Sequence, residues 1–145
     1  MINVGFIGAG ANTKNAHIPK LLEQKGVNAF GVANRTYKSG EIAAKEFDIE
    51  NVYNSWEDLL DEDSIDAVCI GTWPYMHSIL TIRALEMNKH VLCEARMAMN
   101  SFEGGQSAKR ARMELQAPQG GKQCVGCSSD VESGWNLCPH CGNQL

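Results

Sequence analysis

The feature that most constrains the fold is the regular alternation of short apolar segments with helical segments over the first hundred residues. Five apolar segments stop at glycine or polar residues, as buried parallel strands do, and they span residues 2–7, 27–33, 51–53, 66–71 and 89–93. The stretches between them have the spacing of amphipathic helices, and the connections are short. This alternation predicts an α/β fold, in which helices cover both faces of a doubly wound parallel sheet.

The helices are predicted from their apolar faces and their end signals. The buried faces of the first two consist of apolar side chains, namely Ile18, Leu21 and Leu22 in the first and Ile42, Ala43 and Phe47 in the second. Gly26 ends the first helix, and Ser55, with Asp58 three residues later, predicts the N-cap of a short acidic third helix. The second helix is expected over residues 41–47, the fourth over 78–87 and the last over 101–116.

A glycine-rich loop follows the first predicted strand, where doubly wound sheets bind their ligands. In the sequence Gly8-x-Gly10-Ala11-Asn12-Thr13, Gly8 permits a tight turn, and Gly10 lets the backbone approach a pyrophosphate at the next helix N-terminus. Thr13 replaces the third glycine of the dinucleotide-binding fingerprint. The strand–loop–helix context predicts a Rossmann-type cofactor site that all five of these residues contact; a plain strand-to-helix turn is the alternative.

The end of the second predicted strand indicates which dinucleotide binds. Sites for NAD(H) often place an acid there to bind the ribose 2′-hydroxyl, whereas this chain has Asn34, Arg35 and Thr36. An acid would repel a 2′-phosphate, but Arg35 can clamp one, and Asn34 and Thr36 can donate hydrogen bonds to it. The sequence therefore favours NADP(H) over NAD(H); a solvated arginine in a loop is the alternative.

Residues 2–103 resemble the N-terminal domain of the Gfo/Idh/MocA oxidoreductases, the family of glucose–fructose oxidoreductase and inositol dehydrogenase. The resemblance rests on motifs in order along the chain, namely Gly8-x-Gly10 with His17-Ile-Pro19, Val32-Ala-Asn-Arg35, and the segments 47–60, 65–72 and 84–94. It implies a nicotinamide cofactor and redox chemistry on sugars, cyclitols and related carbonyl compounds. It also places five residues at the cofactor, namely Thr72, Trp73, Pro74, His77 and Glu94.

The departures from the family pattern concern catalysis. The family usually ends its fifth strand in Glu-Lys-Pro, whereas this chain reads Glu94-Ala95-Arg96. Ala95 has no proton to transfer, and the guanidinium of Arg96 is a poor general base. His77 is therefore the remaining, weak catalytic candidate. The alternative is that His77 caps or packs its helix. The resemblance also implies that a substrate domain of about 200 residues follows this domain in family members. Because that domain would complete the substrate pocket and exclude water, we expect little turnover by this chain alone.

Four of the six cysteines lie near the end of the chain, as Cys124-x-x-Cys127 and Cys138-x-x-Cys141. Two such turns can place four thiolates around one Zn²⁺, which leaves no position for water and therefore predicts a structural site. The pattern resembles the short zinc ribbons at the termini of many prokaryotic proteins, and a redox role is the alternative. Trp135 and Leu137, if exposed, would form a contact surface for a protein partner.

Charge and hydropathy restrict the other partners. The net charge of −4 argues against nucleic acid, no apolar run approaches the roughly 20 residues of a bilayer span, and no secretory signal is recognisable, so a cytoplasmic location is expected. We predict a dinucleotide-binding domain at 1–103, a helix and flexible linker at 104–122, and a zinc ribbon at 123–145. Three functions remain: a cofactor-binding domain working with a partner that supplies the substrate half, a non-catalytic adaptor or sensor, and a truncated or fused reading frame.

Overall fold

The computed structural model describes residues 1–115, 122–127, 130–131 and 141–144. The chain divides into two compact units, Met1–Arg112 and Met113–Leu145, and each is described by itself. In the first unit, five parallel strands form one sheet in the order β3-β2-β1-β4-β5. The strands are β1 (Ile2–Ile7), β2 (Val27–Ala33), β3 (Asn51–Tyr53), β4 (Ala67–Ile70) and β5 (His90–Cys93).

Helices connect these strands in sequence. They are α1 (Ile18–Leu22), which continues a π-helical turn at Thr13–His17, α2 (Tyr37–Phe47), α3 (Trp56–Leu60), α4 (Pro74–Glu86) and α5 (Ser101–Leu115). No helix in the described part of the chain is long and apolar enough to cross a membrane. The predicted parallel α/β sheet is therefore confirmed, and its strand order reverses between β1 and β4.

Two apolar clusters, one on each face of the sheet, hold the helices in place. On one face, Ile18 of α1 and Ala43 of α2 pack with sheet residues such as Phe6. On the other face, Leu59 of α3 and Leu80 of α4 pack with a second set of sheet side chains. These four helix residues are fully buried, so helices pack against both faces of the sheet.

The boundary and the buried face of α2 differ from the prediction. The helix begins at Tyr37 rather than at residue 41, because the Thr36 hydroxyl accepts a hydrogen bond from the Ser39 amide and caps it. Ile42, predicted to be buried, is 55% exposed, and small side chains such as Ala44 face the sheet instead. Likewise, Leu22 of α1 is exposed, whereas Ile18 is buried as predicted.

The helix α5 packs along α4. Ser107 of α5 and Ser78 of α4 are both buried, and their hydroxyls lie 3.2 Å apart. The Ser78 hydroxyl also donates to the Glu103 carbonyl. These contacts attach the first part of α5 to the unit that contains the sheet.

In the second unit, two short strands, β6 (Lys122–Gln123) and β7 (Asp130–Val131), pair in an antiparallel manner. Gly142 has a φ of +74°, a left-handed conformation that glycine adopts readily. Residues 116–121 of the predicted helix and linker lie outside the described residues, as do Trp135, Leu137 and Cys138.

Candidate functional site

The glycine-rich loop joins β1 to the first helical turn at the reversal of strand order. Gly8 has a φ of +85°, and a Cβ there would lie 2.7 Å from the Thr72 side chain, so only glycine fits. A Cβ on Gly10 would meet only the Gly71 carbonyl, at 3.8 Å. The backbone at Gly10 is therefore open to a ligand.

The first helical turn presents backbone donors at this opening. The Lys14 amide donates to the Gly10 carbonyl, so the amides of Ala11, Asn12 and Thr13 precede the first intrahelical bond of the turn. Amides at a helix N-terminus form a ready anion site, because their positive ends converge. Together with the open Gly10 backbone, this arrangement fits a pyrophosphate.

A cavity of about 500 Å³ lies over this loop. Its walls come from the ends of β1, β2, β4 and β5, and the lining residues are Gly8, Ala9, Gly10, Ala11, Asn12, Thr13, Asn34, Arg35, Ser39, Gly71, Thr72, Trp73 and Glu94. Most of the predicted cofactor contacts are thus brought together. Thr36, Pro74 and His77 do not line it.

A second cavity, of about 350 Å³, adjoins the first at the ends of β2 and β3. The two cavities share Gly8, Asn34, Arg35, Thr72 and Trp73. The second is also lined by residues that were not predicted to belong to a site, namely Asn54, Ser55, Trp56, Tyr75 and Met76. The sequence did contain a signal for these residues. They follow the predicted third and fourth strands, and the carboxyl ends of parallel strands meet at one edge of a sheet.

Arg35 lies between the two cavities with its guanidinium unpaired within residues 1–115. The polar side chains on either side of Arg35 form hydrogen bonds within the protein. Asn34 accepts from the Ala9 amide at 2.7 Å and donates to the Ser39 carbonyl at 3.0 Å. Thr36 caps α2. These two residues therefore shape the loop that holds Arg35.

Glu94, the residue after β5, is joined to the first helical turn. Its Oε1 accepts from the Thr13 hydroxyl at 3.0 Å and lies 3.2 Å from His17 Nε2. Thr13 is 1% exposed, and its hydroxyl also lies 3.1 Å from the Gly8 carbonyl. The residue in place of the third fingerprint glycine thus links the glycine loop to the end of β5.

His77 lies in α4 and is 1% exposed. Its Nδ1 is 2.7 Å from the Arg96 carbonyl, and its Nε2 is 2.8 Å from the Thr72 carbonyl. The imidazole therefore joins the loop after β4 to the loop after β5, with both nitrogens directed at backbone oxygens. Ala95 and Arg96 beside it are exposed.

The two cysteines of the first unit are surrounded by apolar groups. Burial, followed by the charge of Glu94, raises the pKa of Cys69 to about 12. Burial also raises the pKa of Cys93. Both thiols are therefore neutral at ordinary pH and behave as small hydrophobic side chains.

Three of the four terminal cysteines converge in the second unit. The sulfur atoms of Cys124, Cys127 and Cys141 lie within 4.8 Å of one another, and those of Cys124 and Cys141 are 3.5 Å apart. Sulfur atoms in a tetrahedral zinc site, with Zn–S bonds of about 2.3 Å, are separated by roughly 3.8 Å. The Gly126 amide also lies 3.4 Å from the Cys124 sulfur. The spacing of these three sulfur atoms is therefore compatible with a zinc site.

Comparison with known proteins agrees with this fold. A family model described as "Oxidoreductase family, NAD-binding Rossmann fold" matches residues 2–117. An uncharacterized oxidoreductase of Rhizobium meliloti is 33% identical over 103 residues, which cover 71% of this chain and 31% of that protein. The trans-1,2-dihydrobenzene-1,2-diol dehydrogenase of Bos taurus is 28% identical, with 77% and 32% covered.

Among solved structures, a point mutant of KijD10, a 3-ketoreductase from Actinomadura kijaniata in complex with TDP-benzene and NADP, superposes with a TM-score of 0.73. It is 27% identical, and the match covers 77% of this chain and 35% of that one. The myo-inositol 2-dehydrogenase of Lactobacillus plantarum matches with a TM-score of 0.70, at 25% identity over 77% of this chain and 33% of that one.

This chain spans about a third of the length of the curated relatives that it matches. The match covers the whole sheet, the glycine loop and the residues at the ends of β4 and β5. The chain therefore belongs to the Gfo/Idh/MocA oxidoreductase family and contains its NAD-binding Rossmann fold.

Proposed function

We propose that the first unit binds NADP(H) in preference to NAD(H), with Arg35 as the residue that recognises the 2′-phosphate. The observation that carries this proposal is the position of Arg35 on the walls of both cavities, at the end of β2. In dinucleotide-binding sheets, this is where the ribose of the adenosine half is bound. A planar guanidinium forms paired hydrogen bonds with a phosphate, whereas NAD(H) offers only a hydroxyl there.

The N-terminus of α2 supports the same preference. Its first turn contains no acidic residue, and Lys38 lies in it, so nothing in that turn repels a phosphate. The positive end of an 11-residue helix also favours an anion. KijD10, a structural neighbour of this chain, is bound to NADP in its crystals, and this likeness is consistent with the proposal.

Calorimetric titration of the full, zinc-loaded chain with NADPH and NADH tests the proposal. We expect wild type to bind NADPH at least tenfold more tightly than NADH, and Arg35→Ala to weaken NADPH binding about 10–100-fold while changing NADH binding little. Arg83→Ala is the matched control, because Arg83 pairs with Glu86 on the exposed side of α4. Equal losses for both cofactors in Arg35→Ala would contradict the assignment, and no binding by wild type would remove the cofactor site.

We propose that the first unit takes part in a redox reaction only together with a domain that binds the substrate. In the first unit, the position matching the family lysine is Ala95, and His77 is occupied by two carbonyl oxygens. We therefore assign His77 to positioning the loops after β4 and β5 rather than to proton transfer. The alternative is a sensor that binds the cofactor without turnover.

We also propose that Cys124, Cys127, Cys138 and Cys141 hold one structural Zn²⁺. Three of the thiols lie together in the structure, and the fourth completes a second C-x-x-C pair. Four thiolates leave no open position for water, so the metal would stabilise this small unit rather than catalyse a reaction. Free thiolates persist in a reducing compartment such as the cytoplasm, where we propose that this protein is located. We propose that the zinc ribbon binds a protein partner.

A further inference from the structure

We propose that Glu94 gives this site a preference for NADP⁺ over NADPH. The inference rests on the proposed dinucleotide site and names the residue that distinguishes the two redox forms of its ligand. The nicotinamide ring carries a positive charge only in the oxidised form. A carboxylate beside the ring therefore lowers the free energy of that form and leaves the neutral, reduced form unaffected.

The strand order places Glu94 at the nicotinamide half of the site. Arg35 marks the adenosine half at the end of β2, and the glycine loop after β1 takes the pyrophosphate. The second nucleotide must then extend across the reversal of strand order, toward the ends of β4 and β5. Thr72, two residues beyond β4, and Glu94, directly after β5, line the same cavity of about 500 Å³ there.

Glu94 is the acidic residue of the cavity wall, and no basic residue lines that part of the wall within the described residues. Among the described residues that line the two cavities, Glu94 is the only acid and Arg35 is the only base. The next residue, Ala95, stands where the family usually has a lysine, whose cation would offset the carboxylate. Arg96 is exposed and is not part of either cavity wall.

Other groups hold the Glu94 carboxylate in place but leave part of it available. The Thr13 hydroxyl and His17 Nε2 both contact Oε1, and Oε2 accepts no hydrogen bond from residues 1–115. The side chain is 15% exposed, so solvent ions screen its charge less than that of a surface carboxylate. The titratable groups facing it are His17 and the neutral thiols Cys69 and Cys93.

Titration of the full, zinc-loaded chain with NADP⁺ and with NADPH tests the inference. We expect wild type to bind NADP⁺ about tenfold more tightly, a difference of about 1.4 kcal/mol, which lowers the reduction potential of the bound cofactor by about 30 mV. Glu94→Gln keeps the shape and an acceptor for Thr13 but removes the charge. The ratio of the two dissociation constants should therefore fall to about one, chiefly through weaker NADP⁺ binding.

Two further variants separate charge from structure. Glu86→Gln removes a carboxylate from the exposed side of α4, where it pairs with Arg83, and should leave the ratio unchanged. Ala95→Lys adds a cation at an exposed position next to Glu94 and should lower the ratio without altering the fold. Equal affinity of wild type for both forms, or an equal loss of both forms in Glu94→Gln, would overturn the inference. Failure of wild type to bind either form would instead overturn the proposed function.

Discussion

Gly10 lines the cavity over the glycine loop at a point where a side chain would meet few atoms of the protein. The nearest atom to a Cβ built there is the Gly71 carbonyl oxygen, at 3.8 Å, and Gly10 does not have a positive φ. We therefore expect Gly10→Ala to weaken NADPH binding at least tenfold while changing the free energy of unfolding by less than about 1 kcal/mol. Calorimetry and urea unfolding measure the two quantities.

The matched control for this substitution is Gly105→Ala. Gly105 lies within α5 with no atom near its Cβ position, so alanine should leave cofactor binding unchanged and stabilise the helix slightly. If Gly10→Ala lowered stability as much as affinity, the loop would be constrained by packing rather than reserved for a ligand.

The residues of the site were predictable to the extent that their roles depend on local sequence. The glycine loop and Arg35 follow from their positions after β1 and β2, because strand ends place ligands in this fold. The bond between Thr13 and Glu94 joins residues 81 positions apart, and no spacing in a single sequence indicates it. The engagement of Asn34 within its own loop likewise depends on the three-dimensional course of the chain.

At the scale of elements, the helix α2 shows why apolar content alone misplaces a buried face. Ile42 is its largest aliphatic side chain, yet Gly40, Ala43 and Ala44 are the residues that face the sheet. A Cβ on Gly40 would lie 3.0 Å from the Val52 side chain, so this helix packs too closely for larger groups. The capping residue Thr36 was in the sequence, and it would have given the correct start.

The connection between α4 and β5 depends on a buried lysine. Lys89 is 7% exposed, and its ammonium donates to the carbonyls of Glu62 and Ile65, each at 2.8 Å, in the connection between α3 and β4. We expect Lys89→Met to lower the free energy of unfolding by about 2 kcal/mol, because a charged donor is lost from buried acceptors. Urea unfolding of the two chains measures the difference.

A control for the loss of a lysine is Lys25→Met, at an exposed position after α1. That substitution should change the free energy of unfolding by less than about 0.5 kcal/mol. If Lys89→Met changed the free energy of unfolding by an equally small amount, the two hydrogen bonds to carbonyl groups would contribute little to stability, and apolar packing of the side chain would be sufficient.

At the scale of the whole molecule, the chain consists of two units with different sources of stability. The first unit has two apolar clusters on a five-stranded sheet and needs no metal to bury them. The second spans residues 113–145 and is too small to bury an adequate apolar core. If it holds zinc, coordination supplies its folding free energy, for which zinc peptides provide roughly 10–16 kcal/mol.

Removal of the metal should therefore unfold one unit and spare the other. We expect one zinc per chain by elemental analysis, lost in Cys141→Ser and in Cys138→Ser and retained in Cys93→Ala, whose thiol lies outside the cluster. Chelation should leave the thermal transition of the first unit and its NADPH affinity unchanged, and NADPH at 100 times its Kd should still stabilise that unit by about 2.7 kcal/mol. A parallel fall in the stability of both units on chelation would mean that the sheet and the cysteine cluster fold as one body, and that the terminal unit acts on cofactor binding directly.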